Sequence, residues 1–367
     1  ASLGMMSIAA IFFAPCFRSG STRPMTHCLI ALGANLGDRS ENLHRAIDLI
    51  GAHPQIHNRQ VSGFHSTDPI GGPPGQNAFL NAALLVETSL EPTALLHFLH
   101  QVEADIGRQR EEFWAARTID LDLLLCGDQQ LKTVELEVPH PRMAFRRFVL
   151  QPAVEVAAEM VHPTTGWSLS ELLRHIETAT DYTAITGLPG VGKTQTALGV
   201  GEQLPISLLL DTTNNQLPET EAGPPRGPDF AAQVEFLQNR QCLLQPKNVP
   251  TGNVLVSDFW FEQTWLYAKA SLQARDLETF QDLWEAARQE VIQPKLLVVL
   301  EAPVSSADRS EGGEATPETR LDDSLRTSLH AEVTHWGQGP TLYLSAGDRD
   351  RAIQEVSAAI LAMKKTS

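Results

Sequence analysis

FWAARTIDLDLLL, residues 113–125, reads as a loop running into a strand. In an extended strand, successive side chains point to opposite faces. Asp120 and Asp122 therefore project from one face. Ile119, Leu121 and Leu123 project from the other, where they can anchor the strand in a core. Two neighbouring carboxylates repel, and apolar surroundings do not hold them unpaired. A hard divalent cation resolves the conflict, and Mg²⁺ is characteristically held by one or two carboxylates together with substrate phosphates. Arg117, three residues before Asp120, is placed to reach the same phosphates as a bidentate clamp. Alone, an Asp-x-Asp pair describes an edge strand with a solvated acidic face equally well, so the rest of the chain decides.

The chain has 367 residues, enough for two domains of ordinary size, and 42% of them are hydrophobic, enough for two cores. The formal net charge of -16 argues against a nucleic-acid footprint, though a locally basic nucleotide site fits inside an acidic protein. The four cysteines, Cys16, Cys28, Cys126 and Cys242, are scattered without CxxC or Cys/His spacing, so reduced thiols in a cytoplasmic protein are expected. Ser7–Pro15 is apolar but too short to cross a membrane as a helix. It also lacks the basic lead and small-residue cleavage site of a signal peptide. Residues 1–24 are therefore expected to be an extension, disordered or not natively translated. No other run is apolar enough to span a membrane.

From Met25 to about Thr178 strands and helices mix without strict βαβ alternation, which predicts an α+β sandwich with a largely antiparallel sheet. Strands are predicted at Cys28–Leu32, Gln60–Ser66 and Ala78–Glu87. Helices are predicted from Ser40, as N-cap, to Gly51, over Pro92–Ile106 and after Arg146-Arg147 through Glu155–Ala158, with a short tail helix near Leu169–Ile176.

These residues resemble 6-hydroxymethyl-7,8-dihydropterin pyrophosphokinase, an enzyme of folate biosynthesis. The likeness is carried by ALGANLGD (31–38), FHSTDPIGG (64–72), FLNAALLVET (79–88), VEADIGRQR (102–110), WAARTIDLDLLL (114–125), VPHPRM (138–143) and RRFVLQP (146–152), in the family's order and spacing. The resemblance implies a ferredoxin-like α+β fold and transfer of pyrophosphate from ATP to the pterin hydroxymethyl group, releasing AMP. By position it implies that Asp120 and Asp122 hold two Mg²⁺ ions and that Arg108 and Arg117 bind the transferring phosphates. It also implies that Glu103, Arg110, His140 and Arg146 belong to the ATP site. Thr67, Pro69, Ile70, Phe79 and Asn81 would form the pterin pocket, with Phe148 stacked on the ring and Trp114 closing over it. Three departures stand out: Ala115-Ala116 where Gly-Pro is usual, Asp68 where Pro is common, and Pro141 after His140. None removes a phosphate ligand. No side chain stands out as a general base.

Tyr182–Thr186 is a short β-rich run, and Gly187-Leu188-Pro189-Gly190-Val191-Gly192-Lys193-Thr194 follows it. This is GxxxxGK[ST] in its strand–loop–helix context, in which Gly187, Gly190 and Gly192 let backbone N–H groups turn around phosphate. Lys193 reaches the β and γ oxygens, Thr194 offers a hydroxyl to Mg²⁺, and the helix dipole adds to both. Further strands are predicted at Ile206–Asp211, Asn253–Ser257, Lys295–Glu301 and Thr341–Ser345. Helices are predicted at Phe230–Leu244, Phe261–Leu272 and Arg349–Lys364, giving a parallel α/β sheet. The layout resembles deoxynucleoside kinases more loosely, through QVEFLQNR (233–240), SDFWFEQTWLYAKASL (257–272) and KLLVVLEAP (295–303). The resemblance would place Asp258 near Mg²⁺, Gln233 on a nucleobase and Asp211 near the acidic base. Asp258-Phe259-Trp260 stands where the family has Asp/Glu-Arg-Ser, so an arginine is missing. In the lid region Ser305–Thr319 only Arg309 and Arg320 offer themselves.

The expectation is therefore an extension (1–24), an α+β ferredoxin-like pyrophosphokinase domain (25–180) and an α/β P-loop kinase-like domain (181–367). ATP and Mg²⁺ serve both, the small-molecule substrates being a pterin and, for the second domain, a deoxynucleoside. The alternative makes the second domain a catalytically weak nucleotide-binding or oligomerisation module, with a homodimer formed through it. Neither reading involves nucleic acid or membrane.

Overall fold

The structure, a computed structural model, describes residues 24–72, 75–108, 116–211, 229–250, 252–302, 317–336 and 339–364, without the side chains of 317–324. Arg110, Trp114, Arg309 and nearly all of the N-terminal extension lie outside the described residues, as does the side chain of Arg320.

The first half is built on β1 (Thr26–Ala34), which lies inside an antiparallel sheet with β2 (Ile56–Val61), β3 (His65–Thr67), β4 (Phe79–Thr88) and β5 (Asp120–Cys126). The order is β2-β4-β1-β5, with β3 also paired to β4. Alternation decides what each strand face meets. Cys28, Ile30 and Leu32 point into a core closed by α1 (Arg39–Gly51) and α2 (Pro92–Ile106), where Leu43, Ile50, Leu95 and Leu99 are buried. Leu29 points the other way, into a second core under α3 (Arg147–Ala157).

Asp38, not Ser40, caps α1: its side chain accepts from the Glu41 N–H at 3.0 Å. The single strand expected at 60–66 is broken, because the Gly63 N–H turns to Glu155 Oε2 of α3 at 2.7 Å instead of joining the ladder. Within 113–125 the strand begins at Asp120, after a loop whose backbone at Arg117 is bonded to the loop after β1. Cys28 and Cys126 are not scattered; their Sγ atoms meet at 2.7 Å as buried free thiols across β1 and β5.

A hairpin of β6 (Leu131–Lys132) and β7 (Glu137–Val138) and helix α4 (Leu169–Thr178) lead to the second half. Here β8 (Tyr182–Gly187), β9 (Ile206–Leu209), β10 (Val254–Ser257), β11 (Leu296–Glu301) and β12 (Thr341–Ser345) form a wholly parallel sheet in the order β12-β11-β8-β10-β9. Its helices are α5 (Lys193–Gln203), α6 (Phe230–Leu243), α7 (Gln263–Ser271), α8 (Ala274–Arg288), α9 (Pro317–Trp336) and α10 (Arg349–Met363). Helices α8 and α9 were not anticipated from sequence, although α8 buries Phe280, Trp284 and Ala287 at helical spacing.

The two sheets are not independently cored. One apolar cluster runs from Leu29 and Leu85 through Leu150 of α3 and Leu172 and Ile176 of α4 to Ile185, Val298 and Val356 of the second half. Among the described residues no helix is long and apolar enough to cross a membrane. Leu150 is fully buried in that shared cluster. Leu150→Ala is expected to cost about 2–5 kcal/mol, since the lost contacts and the cavity add, read as a lowered midpoint in urea unfolding with an unchanged slope.

Candidate active site

The β1–β5 register places Asp120 opposite Gly33 and Asp122 opposite Ala31, so both carboxylates stand beside residues too small to cover them. Leu121 and Leu123 on the opposite face are buried, as alternation requires. Asp120 is paired with Arg108, whose Nη1 lies 2.7 Å from Oδ1, and with Arg117 through its other oxygen. Burial and the neighbouring Asp122 push its carboxyl up, and the two guanidinium groups oppose that rise. Glu103 sits behind the pair, 3% exposed, holding Arg108 and accepting from the Leu121 N–H at 2.8 Å. Burial raises its carboxyl to about 7. Glu103 thus positions an arginine and does not line the cavity.

Arg117 is fixed by the loop that follows β1. Its N–H donates to Asn35 Oδ1 at 2.7 Å, and its carbonyl accepts from the Asn35 and Leu36 N–H groups, both at 3.1 Å. Asn42 Nδ2 holds the neighbouring Thr118 carbonyl at 3.0 Å. The sequence reading overlooked Asn35, although it lies inside the ALGANLGD stretch.

The carboxylates face a cavity of about 290 Å³. It gathers Thr67, Ile70, Phe79, Asn81 and Phe148 together with Arg117, Asp120, Asp122, His140 and Arg146. Pro69 is not on its wall. Asn81 Nδ2 donates to Thr67 Oγ1 at 2.7 Å. Gly33 lies close beneath it: a Cβ there would come within 3.3 Å of Asn81 Oδ1, which would have to shift by a few tenths of an ångström. The Arg146 guanidinium lies 5.7 Å from the centre of the Phe148 ring, and burial and Arg142 lower it to about 10. Arg142, which the sequence reading did not single out, also lines the cavity.

His140 Nδ1 accepts from the Arg142 N–H at 3.2 Å, which leaves the ring proton on Nε2, 4.0 Å from Asp122 Oδ2. Burial, with Arg146 and Arg142 close by, lowers His140 to about 3.

In the second half β8 leads into the glycine loop. Gly187 has φ 151° and a Cβ on it would meet the Leu300 carbonyl at 2.6 Å, so only glycine fits. Gly190 and Gly192 also have positive φ, and Gly192 begins α5. Lys193 Nζ donates to the Leu188 carbonyl at 2.9 Å across the loop. Thr194 Oγ1 donates to Asp258 Oδ2 at 2.6 Å, so these two expected metal ligands are brought together. Burial raises the Asp258 carboxyl. Asp211 donates its N–H to Asp258 Oδ1 at 2.8 Å, and its carboxylate lies 2.6 Å from Arg240 Nη2. Arg240 lies over the rings of Phe236 and Phe259, 4.2 and 4.9 Å from their centres. An arginine from α6 therefore stands beside these acids, although Asp258-Phe259-Trp260 itself supplies none. Gln233 is fully buried on the same helix.

Residues 29–158 match the model of the 7,8-dihydro-6-hydroxymethylpterin-pyrophosphokinase (HPPK) family. Over 137 residues the chain is 43% identical to the 2-amino-4-hydroxy-6-hydroxymethyldihydropteridine pyrophosphokinase of Bacillus subtilis, covering 37% of this chain and 81% of that one. The chain belongs to this family. It is also 43% identical over 127 residues to the Bifunctional protein FolKE of Lactococcus lactis subsp. cremoris, covering 35% of this chain and 36% of that relative, about a third of its length. Among solved structures, the deoxyadenosine kinase of M. mycoides with bound dATP gives a TM-score of 0.35 at 17% identity, over 48% of this chain and 96% of that one. Scores that low carry no argument, and the second half is described by its own strand order. The HPPK match covers the whole carboxylate cavity and ends before the P-loop.

The lowered His140 can be read directly. An ordinary histidine is half-protonated near pH 6.5, whereas the His140 ring is expected to stay neutral down to pH 5. Ring ¹⁵N shifts measured from pH 8 to pH 5 should show Nε2 protonated throughout. A midpoint near 6.5 would mean that water reaches the ring.

Proposed function

We propose that the first half, about 25–180, is an ATP- and Mg²⁺-dependent pyrophosphokinase that converts 6-hydroxymethyl-7,8-dihydropterin to its pyrophosphate ester, with release of AMP, in folate biosynthesis. One observation carries the reading: Asp120 and Asp122 share a cavity with three arginines, an aromatic ring and an amide, in a chain of the HPPK family. The β2-β4-β1-β5 order, threaded β-α-β-β-α-β when β2 and β3 count as one broken strand, supports a ferredoxin-like fold.

Phosphoryl-type transfer is catalysed by positioning and charge stabilisation. Asp120 and Asp122 are a hard-oxygen pair, the first raised by burial and by its neighbour; they fit Mg²⁺ and would hold it. The ion supplies charge neutralisation to the triphosphate. Arg108 and Arg117, which neutralise Asp120 in this structure, would turn to the phosphates when a cation takes that carboxylate. His140 offers its Nε2 proton and Arg146 its charge to the same anion. Phe148 presents a face to a flat pterin. With Asn81 Nδ2 committed to Thr67, Asn81 Oδ1 is the acceptor for the ring's hydrogen-bonding edge. The assignments of Arg110 to ATP and of Trp114 over the pterin rest on sequence alone.

For the second half, about 181–367, the proposal is a P-loop kinase acting on a deoxynucleoside. Lys193 would reach the β and γ phosphates, and Thr194 and Asp258 would hold Mg²⁺. The Thr194–Asp258 bond at 2.6 Å supports this. The Asp211–Arg240 pair favours the rival reading, a nucleotide-binding or homodimerising module, because the carboxylate is already committed. The buried free thiols support a cytoplasmic location.

The test is the whole chain with ATP, Mg²⁺, the pterin and a panel of deoxynucleosides, AMP and ADP being scored separately. AMP with the pterin is expected. Asp122→Ala should reduce it at least 100-fold while thermal unfolding and the circular dichroism spectrum stay close to the parent; near-normal AMP release would remove the carboxylate assignment. Lys193→Ala should leave AMP release intact and abolish any deoxynucleoside-dependent ADP. Absence of that ADP from the parent itself would favour the binding module.

A further inference from the structure

Arg142 lines the carboxylate cavity, yet its partner belongs to the other half of the chain. Its Nη2 lies 2.6 Å from Oε1 of Glu355, 213 residues away on α10. The Glu355 side chain is only 4% exposed and that of Arg142 is 26% exposed. A carboxylate this buried and this close to a guanidinium is held in one geometry, since separating the two would strand a charge away from water. A small gap of about 50 Å³, bordered by Ile70, Arg146, Phe148, Glu355 and Ala359, separates α10 from the back of the cavity wall.

Helix α10 is itself fixed. It packs on α5, where a Cβ on Gly199 would lie 2.3 Å from Ile353 Cδ1, and on α3 of the first half. The place of Glu355 is therefore set by the helix that follows the P-loop, while Glu355 sets the place of Arg142. Arg142 also orients His140 through its N–H. The charged groups around this pair are Arg146, which feels both Arg142 and Glu355, and beyond it Asp120 and Asp122; the neutral His140 ring lies beside Arg142. Without Glu355, the guanidinium of Arg142 is left to the other carboxylates of the cavity wall, Asp68, Asp120 and Asp122, the last two being the groups a cation would need.

We infer that Glu355 of the P-loop half is a positioning residue for the phosphate side of the carboxylate cavity. It holds the Arg142 guanidinium so that its remaining N–H groups meet bound triphosphate and stay off the Asp120–Asp122 pair. This rests on the ATP reading of that cavity. Arg142 makes the contact with phosphate; Glu355 acts through it.

The experiment is steady-state AMP release by the whole chain for the parent, Glu355→Leu, Glu355→Gln, Arg142→Ala and the Arg142→Ala/Glu355→Leu double variant. Thermal unfolding of each is recorded alongside. Glu355→Leu should raise KM for Mg·ATP about 10-fold, with kcat within threefold and KM for the pterin within twofold. Glu355→Gln, which keeps an oxygen for the guanidinium, should recover most of that loss. Arg142→Ala should show the same KM rise, and the double variant should be no worse than Arg142→Ala alone. A folded Glu355→Leu with unchanged KM would make the pair mere glue between the halves and overturn the assignment. If Glu355→Leu fails to fold, an unchanged KM in Arg142→Ala overturns it equally. A parent that releases no AMP from the pterin would fail the ATP reading itself, a result distinct from an active parent indifferent to Glu355, and it would remove this assignment too.

Discussion

Two like charges on one strand face govern the first half of the molecule. Asp120 and Asp122 are two residues apart, and the side-chain period of a strand leaves them no choice but to share a side. A slip of one residue in the β1–β5 register would drive both into the core under α1 and α2. The register is held by Leu121 and Leu123, which are buried there, and by the pairing of Asp120 with Gly33 and Asp122 with Ala31. The pair is also unequal. Asp120 is one-fifth exposed and answered by two arginines, while Asp122 is two-fifths exposed, with His140 Nε2 4.0 Å away and the Arg146 charge nearby. The outer carboxylate is thus the more open to solvent, and the inner one is neutralised by Arg108 and Arg117.

The second half solves a related problem differently. Asp258 is buried and raised, and it accepts from the Thr194 hydroxyl and from the Asp211 backbone N–H. Asp211 in turn is tied to Arg240, whose guanidinium is layered between two aromatic rings. Hydrogen bonds to a charged carboxylate offset much of the cost of burying it. This chain of contacts joins the ends of β9 and β10 to the start of α5, which is where a parallel sheet gathers ligands.

Local patterns made much of this legible. The alternation in IDLDLLL predicted the shared face of Asp120 and Asp122, and the strand–glycine loop–helix order predicted where Lys193 and Thr194 stand. Relations between distant elements were harder to see. Nothing in Arg117's neighbourhood says that Asn35, 82 residues earlier, holds its backbone. Arg142 is an ordinary residue in a proline-flanked turn until α10 arrives, and Arg240 is one helix charge among several until Asp211 meets it. Cys28 and Cys126 looked unrelated because pairing across strands depends on register, not spacing. Helix α8 is a different kind of omission: its Phe280, Trp284 and Ala287 carry a clear helical period that was overlooked.

The two halves have the composition of two domains, yet they do not close two separate cores. Between the sheets lie α3, α4 and α10, and their apolar faces merge into one cluster that reaches both. Domains joined only by a linker and a polar interface move freely against each other; a large apolar interface removes that freedom. Here α10 has one flank on the helix that follows the P-loop and the other on α3, which begins at Arg147, beside the cavity residue Arg146. A ligand that shifts α5 must therefore either leave α10 in place at the expense of the α5–α10 packing around Gly199, or carry it along and with it the carboxylate that holds Arg142. Close-packed interiors switch between discrete arrangements rather than yielding gradually. The shared core thus ties the packing of α5 around Gly199 to the placement of Glu355 beside Arg142.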